Sequence, residues 1–238
     1  MNPKMMGNKK GVTLIELLIG LVISAIIIAG IYRVFITQTR AYTVQDQVVD
    51  VQQNIRSAME LMLRDIRMAG YTSNVNPVAL VTPIFPGDTA TVRADAVRVE
   101  YQQSANQNRV VYYRDGGSQL IRQLYVNGAL STTDTVLQNL APAPNGLQFT
   151  YGVDGIVGLD TSQDGAMDDR NGDKIINDDD WASATAVSAG NLNVVAIRIS
   201  ITVGPSNPTG NPDIAKRITP RNLVSWVNLR NLCLIKNN

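Results

Sequence analysis

From Val12 to Tyr32 the chain is almost wholly apolar, and Glu16 is the one charge inside that run. The run is long enough to cross a bilayer as a helix, and an unpaired charge in lipid is costly. Lys4, Lys9 and Lys10 precede it and Arg33 closes it, so the positive-inside rule keeps the leader cytoplasmic and exports the rest of the chain. The helical pattern does not stop there. Val34, Ala41, Val44, Val48, Val51, Ile55, Ala58, Met62, Ile66 and Ala69 recur mostly every three or four residues. Asp46, Asp50, Arg56, Glu60, Arg64 and Arg67 fill the other faces. No proline or glycine interrupts residues 31–69, and Gly70 stands at the C-cap position. A helix from Val12 to Ala69 is about 58 residues, or ~87 Å at 1.5 Å per residue. That is too long for a compact domain of this size. Its first half needs apolar partners outside the domain, lipid or other helices.

The remainder reads as strands. Val97, Val99 and Tyr101 alternate with charged residues, and Val110 to Arg114 leads through Asp115-Gly116-Gly117 into Gln119 to Val126 as a hairpin. Leu147, Phe149 and Tyr151 alternate, as do Val195, Ile197, Ile199, Ile201 and Val203; Leu223 to Leu234 is a candidate closing strand. Residues 71–95 and 204–220 have loop composition. A long helix followed by antiparallel strands is an α+β order.

Composition removes several functions. There is no histidine, and Cys233 is the only cysteine, so no His-based general base, Ser-His-Asp triad, histidine-ligated zinc site or internal disulfide can be built. Cys233 sits in an apolar run and reads as a buried thiol. A net charge of +1 gives no electrostatic case for nucleic acid.

Thr13-Leu14-Ile15-Glu16 fits the capping-box pattern, a local explanation for the carboxylate. Against it, sixteen residues without a charge come after Glu16, which places it in an apolar setting that asks for a cationic partner. A Sec leader is cut after its apolar segment; here the small residue Gly11 comes before it. Gly11-Val12-Thr13-Leu14-Ile15-Glu16 resembles the cleavage and N-methylation motif of type IV pilins and pseudopilins. The resemblance implies that a prepilin peptidase cuts after Gly11 and methylates Val12, and that Glu16 pairs with the new amine of a neighbouring subunit. The first mature residue of that family is usually Phe, and here it is Val. Removal of the leader takes away three lysines and leaves 18 basic against 20 acidic side chains. Further along, residues 63–71, Tyr151 to Gly155 and Val227 to Asn231 resemble PilW-type minor pilins. The implied organisation is a leader over 1–11, a membrane and filament-core helix over 12–36, and an amphipathic half over 37–70. A β domain occupies 71–238, with an acidic loop at 154–181.

Nine of the 20 acidic residues fall between Asp154 and Asp180. From Asp169 to Asp180 the spacing matches a calcium-binding EF-hand loop: Asp169, Asn171, Asp173, Asn177 and Asp180 supply side-chain oxygens and Ile175 its carbonyl. Ending in Asp resembles dockerin-type loops, and Lys174 takes the place usually held by glycine. Asp160, Ser162 and Asp164 form a weaker second candidate site. Hard oxygen donors without His or Cys select Ca²⁺, in a structural role; a solvated acidic loop is the bland alternative.

The expected function is that of a PilW-like minor pilin, waiting in the inner membrane and then joining a filament at the cell surface through residues 12–40. Its expected partners are other pilins and the prepilin peptidase. A type II secretion pseudopilin similar to GspJ is the runner-up. A membrane-anchored enzyme is a poor fit, because the paired carboxylates lie in a Gly/Asn-rich loop without a cleft, and a calcium-dependent binding module is compatible with the first reading.

Overall fold

In the computed structural model, which describes residues 11–73, 83–88, 90–155, 164–190, 193–204 and 219–229, the chain divides into two units, Met1–Asp46 and Gln47–Asn238. Helix α1 runs Leu14–Arg67 and contributes to both, within two residues of the expected start and end. In the first unit its surface is open: no residue of the apolar window is buried. Four of the hydroxyls there are satisfied within the helix. Ser24, Thr37, Thr39 and Thr43 each donate to the carbonyl four residues earlier, which limits the cost of placing them in an apolar medium.

The second unit begins with the last turns of α1. Val51, Ile55, Ala58, Met59, Met62 and Ile66 form one buried stripe, set by the three- and four-residue spacing. The helix stops because Gly70 takes φ +72°, a left-handed conformation cheap only for glycine. The Gly70 N–H then donates to the Glu100 carbonyl at 2.9 Å.

Among the described residues eight strands follow, in two antiparallel sheets. The first sheet has the order β1 (Ile84–Phe85), β2 (Ala96–Gln103), β3 (Asn106–Arg114), β4 (Leu120–Val126) and β5 (Ala129–Leu137), all antiparallel. The second places β6 (Leu147–Asp154), β7 (Asn193–Val203) and β8 (Arg221–Asn228) side by side, also antiparallel. The chain crosses from one sheet to the other after Leu137: Leu140 bridges Val203 and the Ala141 N–H donates to the Thr202 carbonyl at 2.8 Å, just before Pro142. Val97, Val99, Val110 and Tyr112 of the first sheet, Phe149, Tyr151, Ile197 and Ile199 of the second, and the buried helical stripe form one core cluster. A short helix, α2 (Ala184–Gly190), adds Ala184 and Val187 to it. Strand β8 ends earlier than expected, at Asn228, and residues 230–238, with Cys233, lie outside the described residues.

Candidate functional site

Gly11 and Val12 precede helix α1 and are exposed, and Gly11 has open space around it. Thr13 occupies the N-cap position. Its backbone N–H and hydroxyl each donate to Glu16 Oε2, and the Glu16 N–H donates to Thr13 Oγ1, all at 3.4 Å. Within one chain, then, Glu16 closes the capping box. These bonds are long and exposed, which leaves the carboxylate exchangeable to a stronger partner. Beyond Glu16 stand Leu17, Leu18, Ile19, Leu21, Val22 and Ile23, all exposed; their large apolar area is stable only in lipid or against other apolar helices.

Residues 6–32 match the prokaryotic N-terminal methylation motif. The chain carries the type IV pilin signal. That signal supports the type IV pilin and pseudopilin family, without separating its subgroups. No curated protein and no solved structure matches the chain. The pilin signal implies processing by a prepilin peptidase and assembly with other pilins. With the apolar helix behind it, it indicates membrane anchoring and export of the second unit.

The acidic loop between β6 and α2 is held by its own carboxylates. Asp169 accepts N–H bonds from Gly172, at 2.7 Å, and from Lys174. Asp173 accepts from the Ile175 N–H and from the side-chain amides of Asn171 and Asn177, at 2.8, 3.1 and 3.0 Å. Asp180 is fully buried, taking the Arg170 and Asn171 N–H groups on Oδ1 and the Asn177 N–H on Oδ2. Burial alone would raise its pKa; those three N–H bonds, with Arg170, hold it below the usual carboxylate value instead. Lys174 has φ +68°, the left-handed turn for which glycine is the cheap residue. Among the described residues, no three carboxylates, histidines or cysteines are grouped closely enough to hold a metal ion. Asp169, Asn171, Asp173, Ile175, Asn177 and Asp180 carry oxygen atoms, the donor type that hard cations take.

Of the weaker second site, Asp160 and Ser162 lie outside the described residues, and Asp164 caps the turn with its Oδ1 on the Ala166 N–H. The spacing did not single out Asp154 and Asp168, yet both are buried. Asp168 Oδ2 accepts from the Gly155 N–H at 2.7 Å and Asp154 Oδ2 from the Gly165 N–H at 3.0 Å. Asp154 Oδ1 has no hydrogen-bond partner among the described residues.

Proposed function

We propose that this protein is a minor pilin of the PilW type, a structural subunit that joins or primes a type IV filament rather than an enzyme. The observation that carries the reading is the methylation motif on an exposed apolar helix. Gly11 is the residue after which the leader is cut, Val12 the new and methylated N-terminus, and Glu16 the contact to the amine of the next subunit. The core helix takes part in the filament, and the β domain faces outward from the envelope. A minor pseudopilin of type II secretion uses the same N-terminal chemistry, and the order of weaker matches at residues 63–71 and 151–155 favours the PilW type over it.

The test is co-expression with a prepilin peptidase and mass spectrometry of the N-terminus. Cleavage between Gly11 and Val12 with one added methyl group is expected. An intact leader, or a cut elsewhere, overturns the assignment.

The acidic loop, in this reading, holds Ca²⁺ through Asp169, Asn171, Asp173, the Ile175 carbonyl, Asn177 and Asp180. Asp164 belongs to the weaker second site proposed with Asp160 and Ser162. The ion would neutralise a dense group of carboxylates and tie residues 169–180 to the domain. The left-handed Lys174 and the inward-turned Asp180 support it. Calcium-dependent heat and a raised melting temperature are expected by calorimetry; neither change at millimolar Ca²⁺ would remove the ion from the account.

A further inference from the structure

Both tryptophans of the chain line one groove on the second sheet. Trp226 stands on β8, directly opposite Arg198 of β7 in the ladder. Val224 and Asn228, two residues to either side, share its face. Trp181, Ile176, Asn177 and Asp178 line the same groove. The space they line is about 610 Å³ in volume, a size typical of small-molecule sites.

Two features of the lining decide what such a groove can hold. The first is exposed aromatic surface. Trp226 is 56% exposed, with Val224 and Ile176 beside it also open to water. An indole left this bare on a strand is an unburied apolar platform, the residue type most often found where binding energy concentrates. The second is charge. Arg198 Nη1 lies 2.8 Å from Asp178 Oδ1, and its guanidinium sits 5.8 Å from the centre of the Trp181 ring. The cation and the anion of the groove therefore compensate each other. A phosphate, a carboxylate or an amine finds no uncompensated opposite charge. What remains on offer is an apolar ring face bordered by the Asn228 amide and by the outer edges of the Asp178 carboxylate and the Arg198 guanidinium.

We propose that this groove binds a neutral oligosaccharide, stacked on Trp226 and hydrogen-bonded at its edge by Asn228 and the Asp178–Arg198 pair. A pyranose ring presents an apolar C–H face and a rim of uncharged hydroxyls, which is the complement of this lining. The site lies wholly within the Gln47–Asn238 unit and does not depend on how the N-terminus is processed or assembled.

Because Trp181 and Trp226 are the only indoles in the chain, intrinsic fluorescence reads the groove directly. The full-length chain is held in a zwitterionic detergent, since maltoside headgroups would compete. It is titrated with chitotetraose, cellotetraose and maltotetraose. A saturable emission shift with at least one of them is expected. Trp226→Ala should weaken that binding by roughly tenfold or more, measured by calorimetry, and Asn228→Ala by less. Trp226 and Asn228 are both exposed, so neither change should compromise folding, which circular dichroism checks. No saturable response to any of the three sugars overturns the proposal, as does unaltered affinity in folded Trp226→Ala. A response confined to an added extended peptide also overturns it, in favour of strand addition at the β8 edge.

Discussion

Asp65 sits on the buried side of helix α1 and is tied to two strands at once. The Tyr112 hydroxyl donates to its Oδ2 at 2.7 Å and Arg122 Nε donates to the same oxygen at 2.8 Å. The two side chains of the ion pair are only 8% and 14% exposed, so removing Asp65 leaves the Arg122 charge with Asp134, a 58% exposed carboxylate 3.6 Å away. Burial pulls the Arg122 guanidinium pKa down, but the contact with Asp65 outweighs it and holds the group charged. Asp65→Ala should therefore lower stability by about 3–5 kcal/mol, seen as an earlier guanidinium unfolding midpoint for the full-length chain in detergent. A loss below ~1 kcal/mol would mean that the pair contributes no more than a surface one. Burial, then the Asp65 charge, pushes the Tyr112 pKa upward; burial alone does the same to Tyr151. Tyrosines in the unfolded chain ionise near pH ~10. Above that the unfolded state binds fewer protons, so each buried tyrosine's contribution should be flat below pH ~10 and fall by ~1.4 kcal/mol per pH unit above it. The Tyr151 hydroxyl has no hydrogen-bond partner among the described residues. Tyr151→Phe should thus gain about 1 kcal/mol at neutral pH and soften the alkaline loss, followed by circular dichroism. None of this could be read beforehand: Asp65 meets strands that lie 47 and 57 residues away, and no local pattern encodes that pairing.

Elements with a strong period were legible and those without one were not. Helix α1 and strands β2, β3, β4, β6 and β7 announce themselves through three- and two-residue spacing, and the Gly70 cap through its conformation. Strand β5 does not: Ser131 to Asp134 is polar throughout, because an exposed edge strand needs no apolar face. Its one readable trace is Asn127-Gly128, both at positive φ, 51° and 84°, the dipeptide of a tight hairpin. The acidic loop combines an EF-hand-like spacing of oxygen donors with a lysine where such loops usually carry glycine. Lys174 adopts the left-handed turn that glycine normally fills, at a cost of roughly 1 kcal/mol for a side-chain-bearing residue. Lys174→Gly should release that strain. It should raise the calcium affinity of the full chain several-fold by calorimetry, since the turn would no longer oppose ligand closure. Unchanged or weaker calcium binding in Lys174→Gly would argue that the loop is ordered by its own N–H bonds alone.

At the scale of the whole molecule, the two units ask for different surroundings. Gln47–Asn238 holds its own core, whereas Met1–Asp46 presents an apolar helix with none of its apolar window buried. Lipid satisfies that surface before assembly and packed helices would satisfy it afterwards, but neither supplies a partner for the Glu16 charge. Its capping bonds at 3.4 Å make few demands on the ionised state, because an uncharged amide at the third helical position closes the same box. An ion pair with the amine of a neighbouring subunit does require the charge. Glu16→Gln separates the two roles. If the cap is what matters, the glutamine variant behaves as the parent and only Glu16→Ala fails. If the intersubunit pair is what matters, as proposed, both variants are processed and reach the membrane normally. Both should then enter filaments at roughly a tenth of the parent level or less, since a lost buried pair is worth several kcal/mol. Immunoblotting of sheared filaments against membrane fractions reads the ratio. Normal incorporation of Glu16→Gln would return Glu16 to a purely local cap and leave the assembly contact to the apolar surface alone.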